Sequence, residues 1–284
     1  MIRIFTDNAA NLPSNLRQQY QIGTVSLRYT VEDQPADPGT FDGPAFYDAM
    51  RRGAEVRTSM ISPGEAEAAL EEVLAAGDDV LFCSISGGIS GSCWAIKMAA
   101  QRMQKKYPHS RIHVLDTRGA SLGEGIPVLL AAECVRAGGT WQQVLDCAEK
   151  ACQEMCQYFV VDDLKYLRRG GRVSGAAAMA GTLLHIKPIL WGNEEGKIVV
   201  HDKVRGKRRA VEYLAALYRE KCTDPAAPVG IAHADCAGDA LHLHNLLRQA
   251  GQTGPILSEM YEPVTGSHVG PGTLALFFRG PKRD

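Results

Sequence analysis

The sequence predicts an α/β protein of two domains, the first built on a parallel sheet covered by helices, the second on a mixed sheet. Three observations carry this. Short β-branched or apolar runs alternate with segments of helical period through the first half, as they do where crossover helices join parallel strands. In the second half the strand-like runs follow one another with fewer helices between them, so part of that sheet is expected to be antiparallel. A chain of 284 residues, 45% of them hydrophobic, is long enough for one large α/β domain or two smaller ones.

Taken in order, "IRIFTD" reads as the first strand, followed by "DDVLFCSI" and "RIHVLDT". Helices are expected near 42 to 52, 63 to 76, 91 to 106, 120 to 138 and 140 to 156. Beyond these, "QYFVVDD", "IKPILWG", "GKIVVHDKV", "PVGIAHAD", "GPILSEMYEPV" and "TLALFFR" read as strands, with helices at about 163 to 169, 175 to 185, 205 to 221 and 237 to 250. The texture changes near residue 158, after the amphipathic "TWQQVLDCAEKACQEMCQYF". That gives domains 1–158 and 159–284, expected to pack closely because no Pro/Gly/Ser linker divides them.

Charge narrows the function. Thirty-one Lys and Arg against 32 Asp and Glu leave a formal charge of −1, so no overall field gathers nucleic acid or an anionic bilayer. The first residues carry no long apolar core of a signal peptide and no later run reaches membrane-span length, which sets the expectation of a cytoplasmic protein. The eight cysteines lie mostly inside apolar runs with no CxxC, and are expected to be reduced and structural. Cys152 and Cys156 fall one helical turn apart on the expected helix, but two thiols without a second pair make a poor metal site, and none is expected.

Four stretches could carry chemistry. In "VLFCSISGGISGSCWAIKMAA" a strand runs through a glycine and serine loop into a helix, whose first-turn N–H groups are unpaired and suit an anion. Ser90 and Ser92 can donate hydroxyl hydrogen bonds beside them; equally, Ser90 can simply cap the helix. "GISGS" begins like a nucleophile elbow but ends in Ser92 rather than glycine, and neither a phosphate-loop nor a dinucleotide fingerprint is completed anywhere. In "DDLKYLRRGGRVSG" a helix stops at Gly170 and Gly171 with Arg172 in the tight loop after it, while Lys165, Arg168 and Arg169 read as solvated charges. "VTGSHVGPG" sets His268 in a loop between glycines, and "VRTSMISP" offers Thr58 and Ser59 between two helices, either to cap or to touch a ligand. The histidines of "HLH" at 242 to 244 lack the pattern of a metalloprotease.

In one order over nearly the whole chain, "FTDNAANLP", "TSMISP", "SISGGISGS", "DDLKYLRRGGRVS", "LLHIKPIL", "DKVRGKRRA" and "GSHVGPGTLALFF" resemble the DegV family of fatty-acid-binding proteins. The resemblance implies a DegV-like fold with a Rossmann-like N-terminal domain, no cofactor, and a long-chain fatty acid buried between two domains and presented to an ATP-dependent acyl kinase. By the same resemblance Thr58, Ser90, the backbone at Gly91 and His268 would bind the carboxylate at the domain interface, and Arg172 would stand at the site mouth; Ser59 and Ser92 are secondary candidates. The sequence departs from the family pattern at Met60 and Ile61, where Gln-Pro is common, and at Ser92-Cys93, where Thr-Tyr is common. The basic run of Lys203, Arg205, Lys207, Arg208 and Arg209 is either a solvated helix start or a patch for the kinase or for transient membrane contact. A competing expectation is a serine esterase or thioesterase with Ser90 or Ser92 as nucleophile and His268 as base; a weaker one is a lipid-responsive sensor.

Overall fold

The computed structural model describes residues 1–36, 40–173 and 185–282. The chain opens with β1 (Ile2–Asp7), a 3-10 turn (Asn8–Ala10), α1 (Ser14–Gln19), β2 (Gly23–Val25), β3 (Arg28–Val31) and β4 (Gln34–Ala36). It continues through α2 (Gly43–Arg51), β5 (Val56–Ser59), α3 (Pro63–Ala75), β6 (Asp79–Ser84), α4 (Ser92–Lys106) and β7 (Ile112–Asp116). Then follow α5 (Leu122–Arg136), α6 (Trp141–Gln153), β8 (Met155–Val160), α7 (Lys165–Gly170), β9 (Ile186–Gly192) and β10 (Ile198–Arg205). The last elements are α8 (Lys207–Lys221), β11 (Val229–His233), α9 (Ala237–Gln249), β12 (Ile256–Met260), α10 (Pro263–Val269) and β13 (Leu274–Arg279). Two compact units result, one of Met1–Arg28 and Thr58–Gln153, the other of Tyr29–Arg57 and Glu154–Asp284.

In the first unit the sheet runs β2-β1-β6-β7, every pair parallel. Ile4, Leu81 and Cys83 on one face meet Val128, Ala131, Val144 and Ala148 of α5 and α6 in a buried cluster. On the other face Phe5 stacks on Phe82 at 6.3 Å, and α3 and α4 cover the strands. The carboxyl ends of three neighbouring strands carry polar residues, Asp7, Ser84 and Asp116, the edge at which parallel sheets place their ligand loops.

The second unit is built on a mixed sheet in the order β10-β9-β8-β13-β11-β12. Only β11 and β12 pair in parallel; β8, β9, β10 and β13 join by antiparallel ladders. Val211, Leu214 and Tyr218 of α8 and Ala240, Leu243 and Leu247 of α9 close its core over Tyr158, Ile231, Leu276 and Phe278. A small sheet β4-β3-β5 completes the chain's strands among the described residues.

Four sequence expectations are corrected. The helix expected to reach 156 ends at Gln153, because Met155–Val160 is the fully buried strand β8, laddered to β13 and β9. Cys152 and Cys156 therefore belong to different elements and are not a turn apart on one helix. The strand expected from "GPILSEMYEPV" stops at Met260, where Glu262 and Pro263 open α10, so His268 lies on a helix rather than in a loop. Thr58 and Ser59 lie between α2 and α3 but cap neither: they end β5, and the cap of α3 is Ser62, whose hydroxyl accepts from Glu65 N–H while Glu65 accepts from Ser62 N–H. The helix expected at 175 to 185 falls almost wholly outside the described residues. Among those residues no helix is long and apolar enough to cross a membrane, and no group of three or more His, Cys, Asp or Glu gathers to hold a metal.

Candidate functional site

The loop from Ile85 to Gly91 is fastened from both sides. Buried Asp7 accepts from Ile85 N–H at 2.9 Å and from Ala9 N–H at 3.0 Å; Asp116 accepts from Gly87 N–H at 3.2 Å and from Arg118 N–H at 2.9 Å. Ser86 Oγ accepts from Gly88 N–H at 3.0 Å, and Ser90 N–H donates to Ser86 O at 3.0 Å. Burial outweighs these hydrogen bonds at Asp7 and raises its carboxyl to about 6. None of Asp7, Ser86 and Asp116 stood out in the sequence. The available signal was that each of β1 and β7 closes an apolar run with an aspartate, where a strand ending in more apolar residue would have sufficed for the core.

From this loop α4 departs with Gly91 as its N-terminal boundary and no side-chain cap of the usual kind. Ser90 Oγ instead accepts from Ser92 N–H at 3.2 Å, and the Ser90 hydroxyl donates to Ser92 Oγ at 3.0 Å. Ser92 is fully buried, and its Oγ also accepts from Ile61 N–H at 3.2 Å. One hydroxyl thus ties the β5–α3 connection, two residues past Ser59, to the start of α4. Met60 lies against Gly91 so closely that a Cβ on Gly91 would sit 2.6 Å from its sulfur. Met60 and Trp94 are the exposed large apolar residues beside these hydroxyls, 49% and 63% accessible, while Ile61 is buried. Thr58, Ser90, Gly91 and the secondary candidates Ser59 and Ser92 all belong to the first unit, with Thr58 and Ser90 half-buried and Ser59 exposed.

His268 and Arg172 belong to the second unit. Glu262 caps the short α10, its two carboxylate oxygens accepting from Val264 and Thr265 N–H at 2.6 Å each. Tyr47 of α2 donates to Tyr261 O at 2.8 Å just before it. Helix α7 packs on α10, and the His268 imidazole lies on Gly170 so tightly that a Cβ there would collide with Nδ1 and lie 3.1 Å from Cε1. Gly171 takes the left-handed conformation that ends α7, and Arg172 turns back to donate to Gly170 O. Burial, and then the Arg172 and Arg169 cations, push His268 down to about 4, so near neutral pH it is an uncharged imidazole able to donate one hydrogen bond. Lys165, Arg168 and Arg169 are exposed.

The basic run divides by role. Lys207 donates to Asp162 and to Gly272 O, and Arg208 pairs with Glu212, whereas Lys203, Arg205 and Arg209 stay exposed with no carboxylate partner among the described residues.

The chain matches the model of the DegV family, described as an uncharacterised protein family, over residues 1–280. It is 32% identical to a DegV domain-containing protein of Clostridium perfringens, an alignment covering 99% of this chain and 98% of that one. Among solved structures, a fatty-acid-binding DegV family protein of Thermus thermophilus is similar with TM-score 0.88 at 29% identity, over 98% of this chain and 99% of the other. The fatty-acid-binding DegV family protein SAG1342 of Streptococcus agalactiae is similar to the same degree, TM-score 0.88 and 29% identity over 99% of both chains. With the family model and a relative aligned nearly end to end, this chain belongs to the DegV family.

Proposed function

We propose that this protein binds a long-chain fatty acid noncovalently, has no catalytic centre of its own, and presents the acid to an ATP-dependent acyl kinase. The observation that carries the reading is the likeness, over 98–99% of the chain, to solved DegV proteins described as binding fatty acids. The geometry agrees with it at two places. At the first turn of α4, backbone N–H groups meet the hydroxyls of Ser90 and Ser92, donors suited to a carboxylate, with Thr58 on the strand leading to the same connection. On α10, His268 is held neutral, so it can donate without carrying a buried charge.

In this reading Thr58, Ser90, Gly91 and His268 take the carboxylate, Arg172 stands at the mouth, and Ser59 and Ser92 assist. Tail and head do different work. Burying about fifteen methylenes at about 0.8 kcal/mol each contributes on the order of 12 kcal/mol before ordering costs. Hydrogen bonds to the carboxylate, about 1.5–3 kcal/mol each, mainly offset its desolvation and fix which end faces outward.

The test is organic extraction of the protein purified from cells, followed by mass spectrometry, and titration of the delipidated protein with palmitate and oleate. Stoichiometric acyl chains and saturable binding are expected. An empty protein that binds neither acid overturns the reading, and covalent labelling of Ser90 or Ser92 by a fluorophosphonate would replace it with a hydrolase.

A further inference from the structure

The sheet of the first unit ends on β7, which pairs with β6 on one side and with no strand on the other among the described residues. The β6 side uses odd-numbered positions: Val80 N–H donates to Arg111 O at 2.8 Å and Thr117 N–H to Ser84 O at 3.2 Å. Backbone groups alternate sides along a strand, so Ile112 and Val114 turn their N–H and C=O to the open edge. Leu115 packs toward α5 and α6, which puts the side chains of Ile112 and Val114 on the α4 face, where both are half-buried.

Beside that edge lies a groove of about 530 Å³ whose walls include Lys97, Gln101 and Lys105 of α4 and Ile112, His113 and Val114 of β7. Helix α4 sorts its cations between two faces. Arg102 and Lys106 are neutralised by Glu67 and Glu71 of α3, at 3.0 and 2.5 Å. Lys97 and Lys105, both exposed, have no carboxylate partner among the described residues. With Gln101 they form one stripe at four-residue intervals, the two ammonium-bearing positions about 12 Å apart along the helix. An extended chain covers nearly that distance, about 13 Å, in four residues, and residues four apart point to the same face.

We propose that β7 is the docking edge for an extended acidic segment of a partner protein, which adds as a further strand and sets two carboxylates, four residues apart, against Lys97 and Lys105. Backbone pairing with Ile112 and Val114 supplies the attachment, and the lysine stripe selects the charge pattern. The net charge of −1 on the whole chain makes this a local signal rather than part of a general basic surface.

The test uses the full chain and a fluorescein-labelled ten-residue peptide of alternating Val and Thr with Glu at its third and seventh positions, read by fluorescence anisotropy. A control peptide carries Glu at the third and sixth positions, which lie on opposite faces of a strand. The first peptide is expected to bind at least about tenfold more tightly than the control, and Lys97→Glu with Lys105→Glu to weaken it by about tenfold or more. Val114→Pro removes an outward N–H, a position where an edge strand tolerates proline, and is expected to abolish binding while the melting temperature holds near that of the parent. Equal binding of both peptides, or undiminished binding by Val114→Pro, overturns the proposal. So does a protein that ignores both peptides but binds phosphatidylglycerol vesicles or dimerises in a Lys97- and Lys105-dependent way.

Discussion

Gly170 gives the sharpest test of the second unit's part in the site. Replacing it with alanine puts a methyl group into the His268 imidazole, on top of Nδ1 and 3.1 Å from Cε1, where ordinary carbon contacts begin near about 3.5 Å. The backbone at Gly170 is ordinary helix, so alanine gains up to about 1 kcal/mol of helix propensity there. Turning the ring off its preferred rotamer costs about 0.5–1.5 kcal/mol, so the two effects nearly cancel in stability. They do not cancel in binding. If His268 donates to a carboxylate, displacing it removes a charge-assisted hydrogen bond of about 1.5–3 kcal/mol, which is roughly a tenfold to hundredfold loss of affinity. Gly171→Ala supplies the mirror result: its φ of +68° penalises alanine by about 1 kcal/mol, yet nothing stands within 4 Å of the added Cβ. Urea unfolding and displacement of a fluorescent fatty acid separate the two variants. Gly170→Ala binding as tightly as the parent would refute the role given to His268.

Three further outcomes are expected. Ser92→Ala strips the buried Ile61 N–H of its acceptor and should lower unfolding stability by about 1–3 kcal/mol, while Ser92→Thr, which keeps the hydroxyl, should lose less; equal urea midpoints for all three would show that the tie between the two loops is idle. His268 is depressed to about 4 in the fold, so its contribution is fully present above its ordinary value near 6.5 and is lost as the pH falls through 4; His268→Gln should flatten the acid limb of the stability profile between pH 6.5 and 4 by up to about 3 kcal/mol, and an unchanged limb contradicts the burial argument. Charge reversal at the exposed Arg205 and Arg209 should slow acyl-phosphate formation by an acyl kinase severalfold without changing fatty-acid affinity; an unaltered rate removes that patch from kinase docking.

Most strands of the two larger sheets were legible because their runs are short, apolar and ended by turn residues: "IRIFTD" and "IKPILWG" correspond to β1 and β9 residue for residue, whereas the three-residue β2 and the small sheet β4-β3-β5 lack such a run and were not legible. Where two periodicities overlap, the sequence misled. The helical stripe of α6 continues through Cys152 into Met155 and Cys156, and only pairing with β13 and β9, residues distant in the chain, makes the latter a strand. Helix α10 was hidden by Gly266 and Gly270, which read as loop residues. The reason for the first lies elsewhere: the Tyr47 hydroxyl occupies the space a Cβ at 266 would need. At the candidate site, Ser90 and Ser92 were visible as hydroxyls at a strand-to-helix junction, but not their mutual hydrogen bonds or the reach of Ser92 to Ile61, since Met60 and Ile61 look like ordinary apolar residues on paper. The fastening of the loop by Asp7 and Asp116 depends on β1, β6 and β7 lying side by side, which spacing along the chain does not encode.

The stretch Tyr29–Arg57 is made early on the ribosome but belongs to the later of the two compact units. Its α2 buries Phe46, Tyr47 and Met50, and Tyr47 and Met50 O reach partners, Tyr261 and Tyr166, that emerge more than a hundred residues afterwards. During synthesis Phe46 already has Tyr29 and Phe41 beside it, but Tyr47 and Met50 wait for partners not yet made. A protease or a cloning boundary placed after Gln153 would leave α2 orphaned, so a truncated N-terminal fragment should aggregate through that helix even if its parallel sheet forms.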